Sequence, residues 1–209
     1  MSISTANIIT LSRLPLLLAV VGLLYLPWGF TTLAALALLP VLYLMDWFDG
    51  YWARSNNQVS DLGGVLDIAI DRVVENVLWL VFAQLERAPV WVPILFIVRS
   101  FVVDGLRGYA LAKGYSAFGM MRSRWGRFLV AGRFMRGLYG LAKGLAFGAL
   151  AALLAVERGA AWLADPAWLR PAAGILVYAS VALCLARGAP VLFDIRGLLG
   201  APAPPPPQA

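Results

Sequence analysis

Six stretches of about 20 mostly apolar residues follow one another along the chain, and each is long enough to cross a bilayer as a helix. They fall at roughly Ile8–Pro27, Thr31–Ala53, Leu62–Leu85, Val90–Ala112, Phe128–Val156 and Pro171–Ile195. Of 209 residues, 61% are hydrophobic and 13% charged, against about 45–50% and about 25% in average soluble domains. A core of this size cannot hide so much apolar surface. The sequence therefore predicts an all-α integral membrane protein, a bundle of six transmembrane helices over residues 1–199. The proline-rich end, residues 200–209, is expected to stay extended. Turn chemistry marks the breaks, at Pro27-Trp28-Gly29, Ser55-Asn56-Asn57, Arg87-Ala88-Pro89 and Asp165-Pro166. Arg13 interrupts the first apolar run, and no basic region precedes it, so the start does not read as a signal peptide.

Charge and rare residues narrow the chemistry. The formal charge is +6, which suits a membrane with anionic lipid on one face and no nucleic-acid partner. If both termini lie inside, only Arg87, Arg158 and Arg170 of the seventeen basic residues lie outside. Arg107, Lys113, Arg122, Arg124, Arg127, Arg133 and Arg136 crowd the fourth-to-fifth connection. That asymmetry predicts a multi-pass protein of the cell's inner membrane with a cytoplasmic working face. The chain has no histidine and one cysteine. Those counts exclude a His-dependent zinc site, a Ser-His-Asp triad, a phosphohistidine and an intramolecular disulfide. Chemistry must run on carboxylates, basic groups and bound cations.

The second and third apolar stretches carry acids where lipid-facing helices should have none: Asp46 and Asp49, then Asp67 and Asp71. At about 100° per residue, Asp46, Asp49, Gly50 and Ala53 share one helical stripe with Arg54 at its margin. Gly63, Asp67 and Asp71 form a second stripe, and a short bend makes the two helices antiparallel neighbours. An intramembrane aspartate costs about 2.5–3.5 kcal/mol, so four cost on the order of 10–14. A water-filled cavity and compensating positive charge are then required; Arg54 and Arg72 are the nearest cations. Oxygen donors without imidazole or thiol suit a hard divalent ion, magnesium or manganese. Gly50, Ala53 and Gly63 leave room for a planar or diphosphate group, or for close helix packing. Two other uses of such acids stay open here, a salt-bridge cluster that orients the bundle and a divalent-cation channel or carrier.

The spacing Asp46-x-x-Asp49-Gly50-x-x-Ala53-Arg54, then Gly63, Asp67 and Asp71, resembles the signature of the CDP-alcohol phosphotransferases (CDP-alcohol phosphatidyltransferases) at every fixed position. Eight fixed residues at about 5–8% frequency each are very rarely met by chance. The resemblance covers the whole membrane region and implies six helices with a cytoplasm-facing site. It implies transfer of a phosphatidyl group from CDP-diacylglycerol to an alcohol, with release of CMP. By the same resemblance Asp46, Asp49, Asp67 and Asp71 hold two divalent ions, Mg2+ or Mn2+, and Asp71 is the base. Gly50, Ala53, Arg54, Gly63 and Thr10 surround the nucleotide.

Weaker likenesses concern the acceptor. Asn7-x-x-Thr10-x-x-Arg13 resembles the opening of the family's phosphatidylglycerophosphate synthases. Arg99 and Arg107, eight apart, match two of their arginines, and Lys143 stands near their Gly-Lys-x-Lys-Thr segment. These three residues are expected to bind the phosphate of a phosphorylated alcohol, glycerol 3-phosphate first. Asp71-Arg72 instead resembles the inositol-phosphate transferases.

Other features have plainer readings. Arg122, Arg124 and Arg127 read as a patch for anionic headgroups. Gly140, Gly144 and Gly148 are expected to let a helix pack closely, within the subunit or across a homodimer. Trp28, Trp91, Trp162 and Trp168 read as interfacial anchors. Glu75 either orients a group at the site or pairs with an arginine, Asp104 pairs with Arg107, and Cys184 fills apolar space.

Overall fold

The computed structural model describes residues 5–56, 60–112, 126–163 and 165–194. Among these, the regular structure is helical: α1 Thr5–Tyr25, α2 Gly29–Ser55, α3 Asp61–Gln84, α4 Trp91–Ala112, α5 Arg133–Glu157 and α6 Pro166–Asp194. A five-residue π-helix, Arg127–Ala131, precedes α5. Lys113, Arg122, Arg124, Asn57 and the proline-rich end lie outside the described residues.

All six apolar stretches form helices, and local chemistry explains where the ends differ from expectation. The fifth begins later because Gly132 breaks the chain between the π-helix and α5. A Cβ there would collide with the Phe128 carbonyl. The sixth begins earlier, at Pro166, whose missing N–H costs nothing in a first helical turn. Asp165 Oδ1 accepts from the Ala167 amide at 2.8 Å and closes that start. Four helices, α1, α2, α5 and α6, are long and apolar enough to cross a membrane. In α3 every 18-residue stretch contains Asp71, Arg72 and Glu75, and in α4 every such stretch contains Arg99, Asp104 and Arg107. Length is therefore sufficient in α3 and α4, and charge is what sets them apart.

The chain divides into two compact units, Met1–Pro93 with Gly144–Leu176, and Ile94–Lys143 with Val177–Ala209. In the first unit α1 packs on α2 and α3. Its interior buries Leu17, Val20 and Leu24 of α1 and Leu39 and Leu42 of α2. Trp79 and Phe82 of α3 close on Phe147 of α5, with ring centroids 4.6 and 5.9 Å apart.

One corner of that unit gathers the three basic residues the sequence set apart. Arg158 donates to the Leu24 carbonyl (2.7 Å), the Leu26 carbonyl (2.8 Å) and Thr32 Oγ1 (3.0 Å), pinning the α1–α2 turn. Glycine is required at position 29, because a Cβ there would lie 2.8 Å from the Arg158 carbonyl oxygen. Glu157 pairs with both Arg87 and Arg170.

In the second unit Val103, Ala110, Val130 and Val191 form a buried cluster, with Leu106 against it. Cys184 is fully buried, and Trp28, Trp91, Trp162 and Trp168 are exposed. Within the subunit, one glycine of the α5 stripe meets a neighbouring side chain. Gly144 faces the Tyr43 ring at 3.8 Å, but Gly140 and Gly148 face open space. Residues four apart drift about 40° per step around a 3.6-residue helix, so the three do not share one contact line.

Candidate metal and nucleotide site

In the first unit α2 and α3 are placed so that their acid-bearing stripes meet. Ser60 caps α3, its Oγ accepting from the Gly63 amide at 3.1 Å, which fixes where that helix begins. Carboxylate oxygens of Asp46, Asp49 and Asp67 then lie within 4.8 Å of one another. Asp49 is buried, while the side chains of Asp46, Asp67 and Asp71 keep 35%, 48% and 44% exposure. Three of the four acids are therefore reachable by a ligand.

The compensating cation is not one of the two nearest in sequence. Arg13 of α1 donates from Nη1 to Asp46 Oδ1 and from Nη2 to Asp71 Oδ1, both at 2.7 Å. Arg72 instead pairs with Glu75 at 2.6 Å, the arginine pairing expected as one of the two readings of Glu75. Arg54 stands over Gly50: a Cβ at that glycine would lie 3.3 Å from Arg54 Nη1. Thr10, also on α1, donates to Asp49 Oδ2 at 2.7 Å. Arg13 and its neighbours had a visible signal, since Asn7, Thr10 and Arg13 fall three apart in an otherwise apolar run. All three are buried, as one polar face of α1 would be.

Beside the acids a cleft of about 270 Å³ opens. Asn7 and Thr10 line it from α1, Asp49, Gly50, Ala53 and Arg54 from α2, and Ser60, Gly63 and Asp67 from the start of α3. Small residues make the floor: a Cβ on Gly63 would sit 3.0 Å from Asn7 Oδ1 and 3.1 Å from Ser60 Oγ. The structure thus brings the nucleotide-signature residues and Thr10 to one cavity with two of the acids.

The donor set fits a hard divalent ion. It consists of carboxylate oxygens from two helices, and Asp67 Oδ1 is sealed from solvent and accepts no hydrogen bond from the described residues. A buried acceptor left in that state is costly, and a cation would relieve it.

A separate basic group lies in the second unit. Arg99 of α4, Lys143 of α5 and Arg187 of α6 surround the buried Tyr139 ring, at 5.9, 4.2 and 5.5 Å from its centroid. Arg187 also donates to the Leu129 and Val130 carbonyls at 2.9 and 3.3 Å. Arg99 is buried, yet its Nε and Nη1 have no hydrogen-bond partner among the described residues. Arg107, the other expected phosphate ligand, lies 3.5 Å from Asp104. Sequence reading missed Arg187 and Tyr139. Arg187 is the one basic residue of the last apolar stretch, and that oddity was its signal. Tyr139 had none.

A family model described as CDP-alcohol phosphatidyltransferase matches residues 3–192. The CDP-diacylglycerol–glycerol-3-phosphate 3-phosphatidyltransferase of Bacillus subtilis (strain 168) is 33% identical over 113 residues, 48% of this chain and 58% of that protein. The protein of the same name from Pseudomonas fluorescens is 30% identical over 122 residues, 57% of this chain and 62% of its own length. That of Escherichia coli (strain K12) is 28% identical over 117 residues, 54% and 64% respectively. The chain spans about three-fifths of the length of these relatives.

Proposed function

The chain belongs to the CDP-alcohol phosphatidyltransferase family, and on that footing we propose that it transfers a phosphatidyl group from CDP-diacylglycerol to glycerol 3-phosphate and releases CMP. The observation that carries this reading is the cleft of Gly50, Ala53, Arg54 and Gly63 opening beside clustered carboxylates. A cation channel would account for the acids but gives no reason for small residues and an arginine at those spacings. Glycerol 3-phosphate is the acceptor in the names of the relatives. The setting is the cytoplasmic face of the inner membrane, with α3 and α4 completing six spans and both termini inside.

In this reading Asp46, Asp49, Asp67 and Asp71 hold two ions, Mg2+ or Mn2+. Such ions, when bound, neutralise the charge that builds on the diphosphate and its leaving oxygen. Gly50, Ala53 and Gly63 let the cytidine diphosphate approach the backbone. Arg54 and Thr10 border it. The acceptor hydroxyl attacks the lipid-side phosphorus in line: a phosphorus–oxygen bond forms to the acceptor, the bond to CMP breaks, and CMP carries off that electron pair. Asp71 takes the hydroxyl proton. Its exposed carboxylate and its anchor to Arg13 support that role. Arg99, Arg107 and Lys143, joined by Arg187, bind the acceptor's phosphate. A phosphorylated acceptor offers that basic group an anionic partner, which a neutral alcohol does not.

The test is to incubate the purified protein with CDP-diacylglycerol, magnesium and a panel of glycerol 3-phosphate, inositol phosphate, serine and glycerol. The expected product is phosphatidylglycerophosphate with equimolar CMP. CMP release with another acceptor alone would replace the substrate assignment. Manganese flux across sealed vesicles without CMP release would replace the activity.

A further inference from the structure

One planar side chain ties all three helices of the acidic site together, and it comes from the helix that supplies no acid. Arg13 is 2% exposed. Its two terminal nitrogens are spent on Asp46 of α2 and Asp71 of α3, and Nη1 also lies 3.8 Å from Asp67 Oδ1. Both hydrogen bonds go to Oδ1 atoms, so the Arg13 fork does not engage Oδ2 of Asp46 or of Asp71. A guanidinium can hold two carboxylates at once because its donors diverge from a rigid plane. The single ammonium of a lysine has no such fork.

We infer that Arg13 is the resident counter-ion and positioning residue of this site. It supplies positive charge whether or not divalent ions are bound, and it sets the orientation of Asp46 and Asp71 across the α2–α3 pair. The inference rests on reading the aspartates as metal ligands. Four clustered acids repel one another, and burial strengthens the repulsion. With Arg13 present the folded state tolerates loss of the ions. Without it the ions become the main source of compensation, so they should stabilise the fold more, as any ligand that binds only the folded state does.

The experiment is thermal unfolding of the full chain in detergent, followed by tryptophan fluorescence, in EDTA and in Mn2+. The expected result is that the Mn2+-induced rise in Tm at least doubles in Arg13→Gln. In Arg13→Lys, which keeps the charge and loses the fork, the Tm rise should match wild type while CMP release falls at least tenfold. An equal Mn2+ shift in wild type and Arg13→Gln would overturn the counter-ion role. Undiminished CMP release in Arg13→Lys would overturn the positioning role. Should Arg13→Gln fail to fold in both conditions, the charge-balanced Arg13→Gln/Asp46→Asn decides: recovery of a folded protein supports the inference, and continued failure ends it. The shifts need no lipid substrate, so they stand apart from the acceptor panel. No Mn2+ shift in wild type would remove the metal reading and this inference with it.

Discussion

Thr10 and Asp49 are 39 residues apart in sequence and joined by a 2.7 Å hydrogen bond, the threonine hydroxyl donating to the buried carboxylate. A neutral donor on α1 thereby fixes the rotamer of an acid on α2. Bonds to charged groups contribute about 1.5–3 kcal/mol. Thr10→Val keeps the shape and removes the donor. It is expected to lower kcat/KM for CMP release by about tenfold or more, with α-helical circular dichroism unchanged. Wild-type kinetics would show that Asp49 is held by other means.

Asp71→Asn removes the proposed proton acceptor but keeps a side chain of the same size. Loss of a general base costs about 10²–10⁴-fold in rate, and CMP release should fall by that much. The variant should still elute as wild type in size-exclusion chromatography. Unchanged turnover would take Asp71 out of the proton-transfer role.

Gly50→Ala tests the nucleotide cleft. The new methyl would lie 3.3 Å from Arg54 Nη1, tight enough to shift the guanidinium by a few tenths of an ångström. Small displacements of binding groups are felt strongly in rate, up to about 100-fold per ångström. The KM for CDP-diacylglycerol should rise several-fold while that for the acceptor stays put. The opposite pattern would put the nucleotide elsewhere.

Arg99→Met probes the basic group in the second unit. The guanidinium is buried, with two nitrogens unbonded among the described residues, and each such buried donor costs about 1–3 kcal/mol. Methionine fills the same volume without that cost, so Tm in detergent should hold or rise. Acceptor KM should rise sharply with little change in the KM for CDP-diacylglycerol. A variant that loses stability and keeps its acceptor KM would mark Arg99 as structural.

Helix-forming segments and the acid stripes were legible from residue types alone, because both depend on short-range periodicity. Twenty apolar residues form a helix wherever they stand, and Asp46, Asp49, Gly50 and Ala53 share a face by the geometry of one helix. Ser60 and Asp165 at helix starts, and Gly132 between the π-helix and α5, act within four residues, and they moved boundaries only slightly. The partners of the acids could not be read that way. Arg54 and Arg72 are close in sequence, but helical geometry points Arg72 at Glu75 and leaves Arg54 over Gly50. Arg13, thirty-three residues before Asp46, takes the central position because α1 packs on both α2 and α3. Arg187 and Tyr139 likewise meet only through the packing of α5 and α6 residues in the second unit. Local pattern therefore determined which elements form and which faces are polar. Tertiary packing decided which cation meets which acid, since charge pairing follows distance in space and the chain carries no mark of it.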